Sequence, residues 1–241
     1  MNTADLQGHW RRDWLRHHGG EDQTTRVHWL QAGKIYADIR VPADRGEVPR
    51  DLTTLTEPPQ SLVAAEGYAG RIDVEGGVCT WTRAIAWHGA SPRPDAGHVA
   101  FAPDGALLET GVHADYTERW VREDVGPTEA QVLRCGSLTA YVVSVGSSFV
   151  FGCGVAEAPP LRTEESGLDT AALEALFLNV YILGRWERAD GLALLATDPR
   201  LEGRAVVERR ETGLTLRALD LQGAPRSVIF TPADQTPQSS R

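Results

Sequence analysis

The chain is poor in cysteine. Cys79, Cys135 and Cys153 are its three, an odd number with no Cys-x-x-Cys and no histidine at ligand spacing. That argues against both a disulfide framework and a zinc site and leaves reduced, buried small hydrophobes. Long apolar runs are missing too. Nothing approaches the roughly 18 consecutive apolar residues of a membrane span, and the opening MNTADLQGHWRRDW has no signal-peptide core, so a cytoplasmic protein is expected. Clustered positive charge is absent: the formal net charge is -9 and the pI near 5.3, with arginines interleaved among acids. Nucleic acid and anionic membrane are therefore not expected partners. Catalytic signatures are lacking as well, with no phosphate loop, no dinucleotide fingerprint, no Gly-x-Ser-x-Gly and no His-Glu-x-x-His. Nothing calls for a cofactor or a metal.

What is present is a succession of short β-type runs. Residues 25–31 and 34–41 flank an Ala32-Gly33 turn and predict a hairpin. In its second arm Ile35, Ala37, Ile39 and Val41 share one face, and Lys34, Tyr36, Asp38 and Arg40 the other. Residues 42–60 are rich in proline and charge and predict a loop, long enough to act as a lid. Further runs follow at 62–68, 71–74, 78–87, 98–101, 106–111 and 116–122, several closed by glycine and one pair by Pro103-Asp104-Gly105, a turn set by the φ preferences of its residues. The run 138–145, a Gly146-Ser147-Ser148 turn and 149–155 form the clearest hairpin. Asp169 is a fitting N-cap for one short helix ending near Phe177, and runs at 179–187, 192–197, 206–211, 214–219 and 227–230 follow. Many short strands with a lone helix predict an all-β sandwich or barrel. The polar stretch at the C-terminus predicts a disordered tail.

Several side chains invite a functional reading. Asp38 and Arg40, two apart on a strand, must point the same way, into solvent or into a lumen. In a lumen each needs a partner, which Arg83, Glu118 or Arg119 would supply. Six of the seven tryptophans lie in the first half of the chain; in a concave pocket they suit a flat or hydrophobic ligand, although such residues are more often plain core. His28, His88 and His113 are scattered, and nothing in their spacing unites them, whereas His17 and His18 read as a solvated loop. Gly152-Cys153-Gly154 reads as a tightly packed or bulged strand end.

Gly8-x-Trp10 near the start, with Arg185-Trp186 late in a strand, resembles the calycin or lipocalin pattern of a Gly-x-Trp opening strand closed near an arginine. A broader likeness is to the fungal lipocalin-like HRI proteins and their bacterial relatives. It is carried by Trp29-Leu30-Gln31, the run from Ile35 to Pro42, Arg45-Gly46-Glu47-Val48, Glu109-Thr110-Gly111, Glu118-Arg119-Trp120 and Ile182-Leu183-Gly184-Arg185-Trp186. The resemblance implies an antiparallel calycin-like architecture of two barrel units, at 1–125 and 126–231, with residues 232–241 as the tail. It carries a fold without a mechanism.

The expectation is therefore a barrel that binds a small apolar or aromatic molecule, with Trp29, Tyr36, Trp81, Arg83 and Trp120 around the ligand and Asp38, Arg40 and Glu118 orienting it. The alternative is a cofactor-free isomerase, cyclase or dehydratase in the same cavity. There Asp38 or Glu118 would be the acid/base, and Arg40 or Arg83 would stabilise negative charge. A third reading is an interaction protein whose barrels are filled by side chains.

Overall fold

The computed structural model describes residues 1–54, 64–89, 95–156, 158, 174 and 176–233. Nine strands form the first sheet: β1 (Gly8–His17), β2 (Gly20–Asp22), β3 (Arg26–Ala32), β4 (Ile35–Val41), β5 (Glu66–Glu75), β6 (Val78–Ala86), β7 (Asp95–Phe101), β8 (Leu107–Gly111) and β9 (Tyr116–Asp124). All neighbours are antiparallel, and β1 pairs with β9 as well as β3, so eight strands close into a barrel from which β2 projects as a hairpin on β1. The second barrel closes through β10 (Thr128–Cys135), β11 (Leu138–Val145), β12 (Ser148–Val155), β13 (Val180–Glu187), β14 (Asp190–Ala196), β15 (Ala205–Arg209), β16 (Leu214–Leu219) and β17 (Pro225–Pro232). Closure removes the free sheet edges that invite aggregation.

The expected hairpins at 26–41 and 138–155 are present in register. The runs expected at 62–68 and 71–74 merge into the single strand β5, which absorbs a bulge at Ala69/Gly70. Three strands went unread in the sequence: β1 beyond Trp10, whose charged Arg11, Arg12, Asp13 and Arg16 hide it, the three-residue β2, and β10, which lacks alternation. The expected helix cap at Asp169 lies outside the described residues; residues 174 and 176–178 are helical. Of the expected tail, Pro232 still belongs to β17 and 234–241 lie outside the described residues.

Three apolar clusters organise the molecule. One fills the second barrel with side chains including Phe149, Phe151, Ile182, Leu216 and Phe230. One occupies part of the first barrel around Leu6, Trp10, Trp29, Ile72 and Leu107. The third lies between the barrels, where Leu30, Ala37, Ile39 and Val41 meet Val143, Val150, Tyr181 and Leu183. Strand β4 is thus buried on both faces: its apolar face packs on the second barrel, and its polar face lines the lumen of the first. Close approach at this interface needs glycine, because a Cβ at Gly67 or at Gly152 would strike the Tyr181 ring. Tight packing is therefore the role of the Gly152-Cys153-Gly154 run.

The described part of the segment after β4, residues 42–54, runs to the second barrel and is not a lid over the first. Arg45 donates to the Ala196 carbonyl oxygen and pairs with Glu202, the Leu52 amide donates to the Leu221 carbonyl oxygen at 2.8 Å, and Leu52 is buried in the inter-barrel cluster. Residues 42–54 strap the first barrel to the second, and 55–63 lie outside the described residues.

Candidate functional site

One end of the first barrel is closed by the chain's own N-terminus. Residues Thr3–Leu6 form a 3₁₀ turn, the Trp10 indole Nε1 donates to the Leu6 carbonyl oxygen at 2.8 Å, and Gln31 Nε2 donates to the Thr3 carbonyl oxygen at 2.8 Å. Arg122, on the last strand of this barrel, lies over the Trp10 ring with its guanidinium carbon 4.2 Å from the ring centroid. The arginine that meets the Gly-x-Trp tryptophan is therefore Arg122 and not Arg185, which is exposed and paired with Glu187.

The other end is hollow. A cavity of about 340 Å³ opens there, within the range of small-molecule sites. Trp29, Tyr36, Asp38, Arg40, Trp81, Arg83, Glu118 and Trp120, all singled out from the sequence, line it together with Leu15, His17, Glu66, Tyr68, Asp95, Glu109 and Tyr116. Period-two alternation explains the convergence: Tyr36, Asp38 and Arg40 project inward from β4, Trp81 and Arg83 from β6, and Glu118 and Trp120 from β9. On β1 a bulge between Arg12 and Trp14 shifts the alternation, so that Arg12 and then Leu15 and His17 face inward.

The aromatic wall is built by edge-to-face packing of Trp29 on Trp81 (ring centroids 5.9 Å apart) and on Trp120 (5.7 Å). Between these rings and the mouth lies a charged network. Asp38 accepts from its strand neighbour Arg40 (Nη2 to Oδ2, 3.1 Å) and from the Tyr68 amide (3.0 Å). Burial raises the Asp38 carboxyl above its ordinary range, opposed by Arg40 and Arg83. Arg83 pairs with Asp95, and its guanidinium carbon sits 3.7 Å from the Tyr68 ring centroid. Glu118 is held by the equally buried Arg12 at 2.9 Å, and Arg12 reaches Asp22 at 2.6 Å. The partners thus differ from those expected for Asp38 and Arg40: they neutralise each other, and Arg119 points away from the lumen to Asp13 and Asp104.

Glu109, unread as a site residue in the sequence, is a buried acid of the cavity with no cation bonded to it. It lies directly across from Glu118 in the β8–β9 register, accepts from the Tyr116 hydroxyl at 2.8 Å and from the Trp120 indole N–H at 3.1 Å, and is 4% exposed. Burial, and then the Glu118 carboxylate, push its carboxyl up to about 8. Gly97 makes room for it, since a Cβ there would fall 2.7 Å from Glu109 Cγ. The available signal was Leu107 and Glu109 sharing one strand face; the run read as apolar with an acid at its end.

Among the described residues, the buried Trp29 indole nitrogen and Tyr36 hydroxyl of this wall have no hydrogen-bond partner. Unpaired buried polar groups are rare in folded proteins and each calls for an explanation.

The structure does not bring His28, His88 and His113 together. His28 hydrogen-bonds His9 at 2.9 Å (His9 Nε2 to His28 Nδ1), and burial first, then His9, pushes its imidazole down to about 3. His113 is exposed in the turn before β9, and His88 lies in the turn after β6. His17, expected in a solvated loop, reaches the cavity instead. A second recess, of about 410 Å³, lies between the barrels beside Arg45 and Arg200, whose guanidiniums are engaged by the chain's own carboxylates and carbonyls. No group of at least three His, Cys, Asp or Glu among the described residues has the arrangement to hold a metal.

By sequence, the chain matches no family profile and no curated protein. By structure, it is similar to the uncharacterized protein YLR301w from Saccharomyces cerevisiae, with a TM-score of 0.52, 10% identity, and coverage of 92% of this chain and 96% of that chain. At that identity the likeness shows the fold alone.

Proposed function

We propose that the first barrel binds a small, largely apolar or aromatic molecule and that the second barrel is its structural partner. The observation that carries this reading is the difference between two lumens of equal strand number. The first keeps a cavity of about 340 Å³ lined by aromatic rings and buried charge, while the second is packed with aliphatic and phenyl groups. Burying ion pairs costs several kcal/mol per charge and is weak evidence for stability, so a lumen that retains three arginine–carboxylate pairs beside open space is explained better by ligand recognition than by folding. Unpartnered Trp29 and Tyr36 supply further polar groups in the same wall. The Trp10–Arg122 stack supports the calycin resemblance, a Gly-x-Trp opening strand closed near an arginine. The acidic chain and the absence, among the described residues, of a helix long and apolar enough to cross a membrane accord with a cytoplasmic binder.

Glu109 supports a second reading. A carboxyl pushed up to about 8 in a cavity with Arg40 and Arg83 has the properties of a general acid/base. On this reading Glu109 replaces Asp38 and Glu118 as the proton carrier, since those two are engaged by Arg40 and Arg12.

Native mass spectrometry with an absorbance spectrum, on the full chain purified directly from its producing cells, tests the binding role. A small organic adduct that is released on denaturation and diminished in Trp81→Ala is the expected result. A clean unliganded mass under gentle ionisation would contradict a tightly held ligand.

A further inference from the structure

The charges of the cavity do not balance, and the imbalance has a sign. Five carboxyl side chains, Asp38, Glu66, Asp95, Glu109 and Glu118, line it against the guanidiniums of Arg40 and Arg83. Both guanidiniums are already engaged: Arg40 by Asp38, Arg83 by Asp95, and both over the Tyr68 ring, at 5.3 and 3.7 Å from its centroid. Arg12 accounts for Glu118. Glu66 and Glu109 are left with no ion-pair partner among the described residues. An anionic ligand would have to displace a carboxylate from an arginine and then face the remaining acids; a cationic ligand breaks no ion pair and displaces only a proton.

The surroundings of Glu109 suit a cation in particular. Its two hydrogen-bond donors, Tyr116 and Trp120, are aromatic, and Trp120 packs edge-to-face with Trp29, which packs likewise with Trp81. Aromatic faces beside an unpaired carboxylate are the two elements that recognise alkylammonium groups, through the ring quadrupole and through direct charge. Taking the binding role proposed above as its basis, we infer that the ligand is an organic cation, an amine or quaternary ammonium on an apolar or aromatic body, and that Glu109 is its counter-charge.

The bound cation supplies the positive partner that Glu109 lacks, so binding releases the proton that burial holds on Glu109 in the empty cavity. The charged and titratable groups facing Glu109 are Glu118 and Tyr116 from β9, Asp95 from β7, Cys79 from β6 and Arg40 from β4. Burial raises the Tyr116 hydroxyl and the Cys79 thiol still further above their ordinary ranges, so these two stay neutral over the interval from pH 7 to 9 in which Glu109 changes charge. With its carboxyl at about 8, the ionised fraction rises about tenfold over that interval, and the apparent affinity for a permanent cation rises with it.

The test is a tryptophan-fluorescence titration of the full chain with three probes of one shape: benzyltrimethylammonium, its uncharged carbon isostere neopentylbenzene, and the anion phenylacetate. The expected order is cation over neutral by about tenfold at pH 9, with the anion weakest. Affinity for the cation should rise about tenfold from pH 7 to 9, with the neutral probe unchanged, and Glu109→Gln should abolish both the preference and the pH dependence while keeping the neutral probe's affinity. If that variant does not fold, the pH series on the unaltered chain decides alone. Equal binding of cation and neutral probe at pH 9 overturns the inference and leaves the binding role standing. Failure of all three probes to bind overturns both.

Discussion

The two barrels have the same number of strands and opposite interiors. In the second, Phe149, Phe151, Ile182, Leu216 and Phe230 meet in one apolar cluster, and a recess near Trp186 and Arg209 has about 10 Å³, at the lower limit of what holds one water. In the first, the inward positions carry Arg12, Asp38, Arg40, Arg83, Glu109 and Glu118, which brace one another around open space. An eight-stranded ring is just wide enough either to be filled by its own side chains or to hold one small ligand. The alternation of strand residues decides which, and here one chain contains both outcomes.

The largest expected effect comes from breaking the filled barrel. Phe151→Ala removes a fully buried ring packed edge-to-face on Phe230 and should cost about 3–5 kcal/mol in chemical denaturation, with no change in probe affinity at the first barrel while the protein remains folded. Next is the charged lumen. Arg12→Met strands the buried Glu118 carboxylate and should cost about 3 kcal/mol, whereas Arg12→Met combined with Glu118→Leu should recover most of that loss, because an ion pair replaced whole by apolar groups is often neutral or stabilising. Failure of the double variant to recover stability would show that the network serves folding and would weaken its assignment to ligand recognition.

The pH dependence of stability sharpens the contrast. Glu109 titrates near its ordinary value of 4.5 when unfolded and at about 8 when folded, so the native state holds a proton that the unfolded chain releases. That contribution is full below about pH 4.5 and is lost as pH rises toward 8. Glu109→Gln, which mimics the protonated acid, should match the unaltered chain below about pH 4.5 and exceed it by a margin that grows as the pH rises toward 8. Smallest is Gly67→Ala, whose new methyl meets the Tyr181 ring and should cost about 1–2 kcal/mol. Because that contact joins the two barrels, both should still unfold in one transition, read by near-ultraviolet circular dichroism against far-ultraviolet.

Much of this was legible in the sequence, and unevenly so. Alternation exposed β3, β4, β11 and β12, and it placed Tyr36, Asp38 and Arg40 on one face; since both faces of β4 are buried, only the packing of one barrel on the other shows that this face is the lumen. Local pattern could not reveal β1, because most of its charged residues take partners more than a hundred positions away, outward as Arg11 does with Glu123 and inward as Arg12 does with Glu118. The same non-locality hid Glu109, whose environment is made by β7 and β9, and the strap at 42–54, whose anchors Ala196, Glu202 and Leu221 belong to the other barrel. Residue types marked a polar strand face; pairing across strands made it a lumen and determined which acids were left over.

The central claim is that the first lumen takes a ligand and the second does not, and the indole N–H resonances of the tryptophans report on both at once. On titration with benzyltrimethylammonium at pH 9, the resonances of Trp29, Trp81 and Trp120 should shift together and saturably while that of Trp186, on the second barrel, stays in place. A stationary set of first-barrel resonances, or a Trp186 shift as large as theirs, would contradict the account.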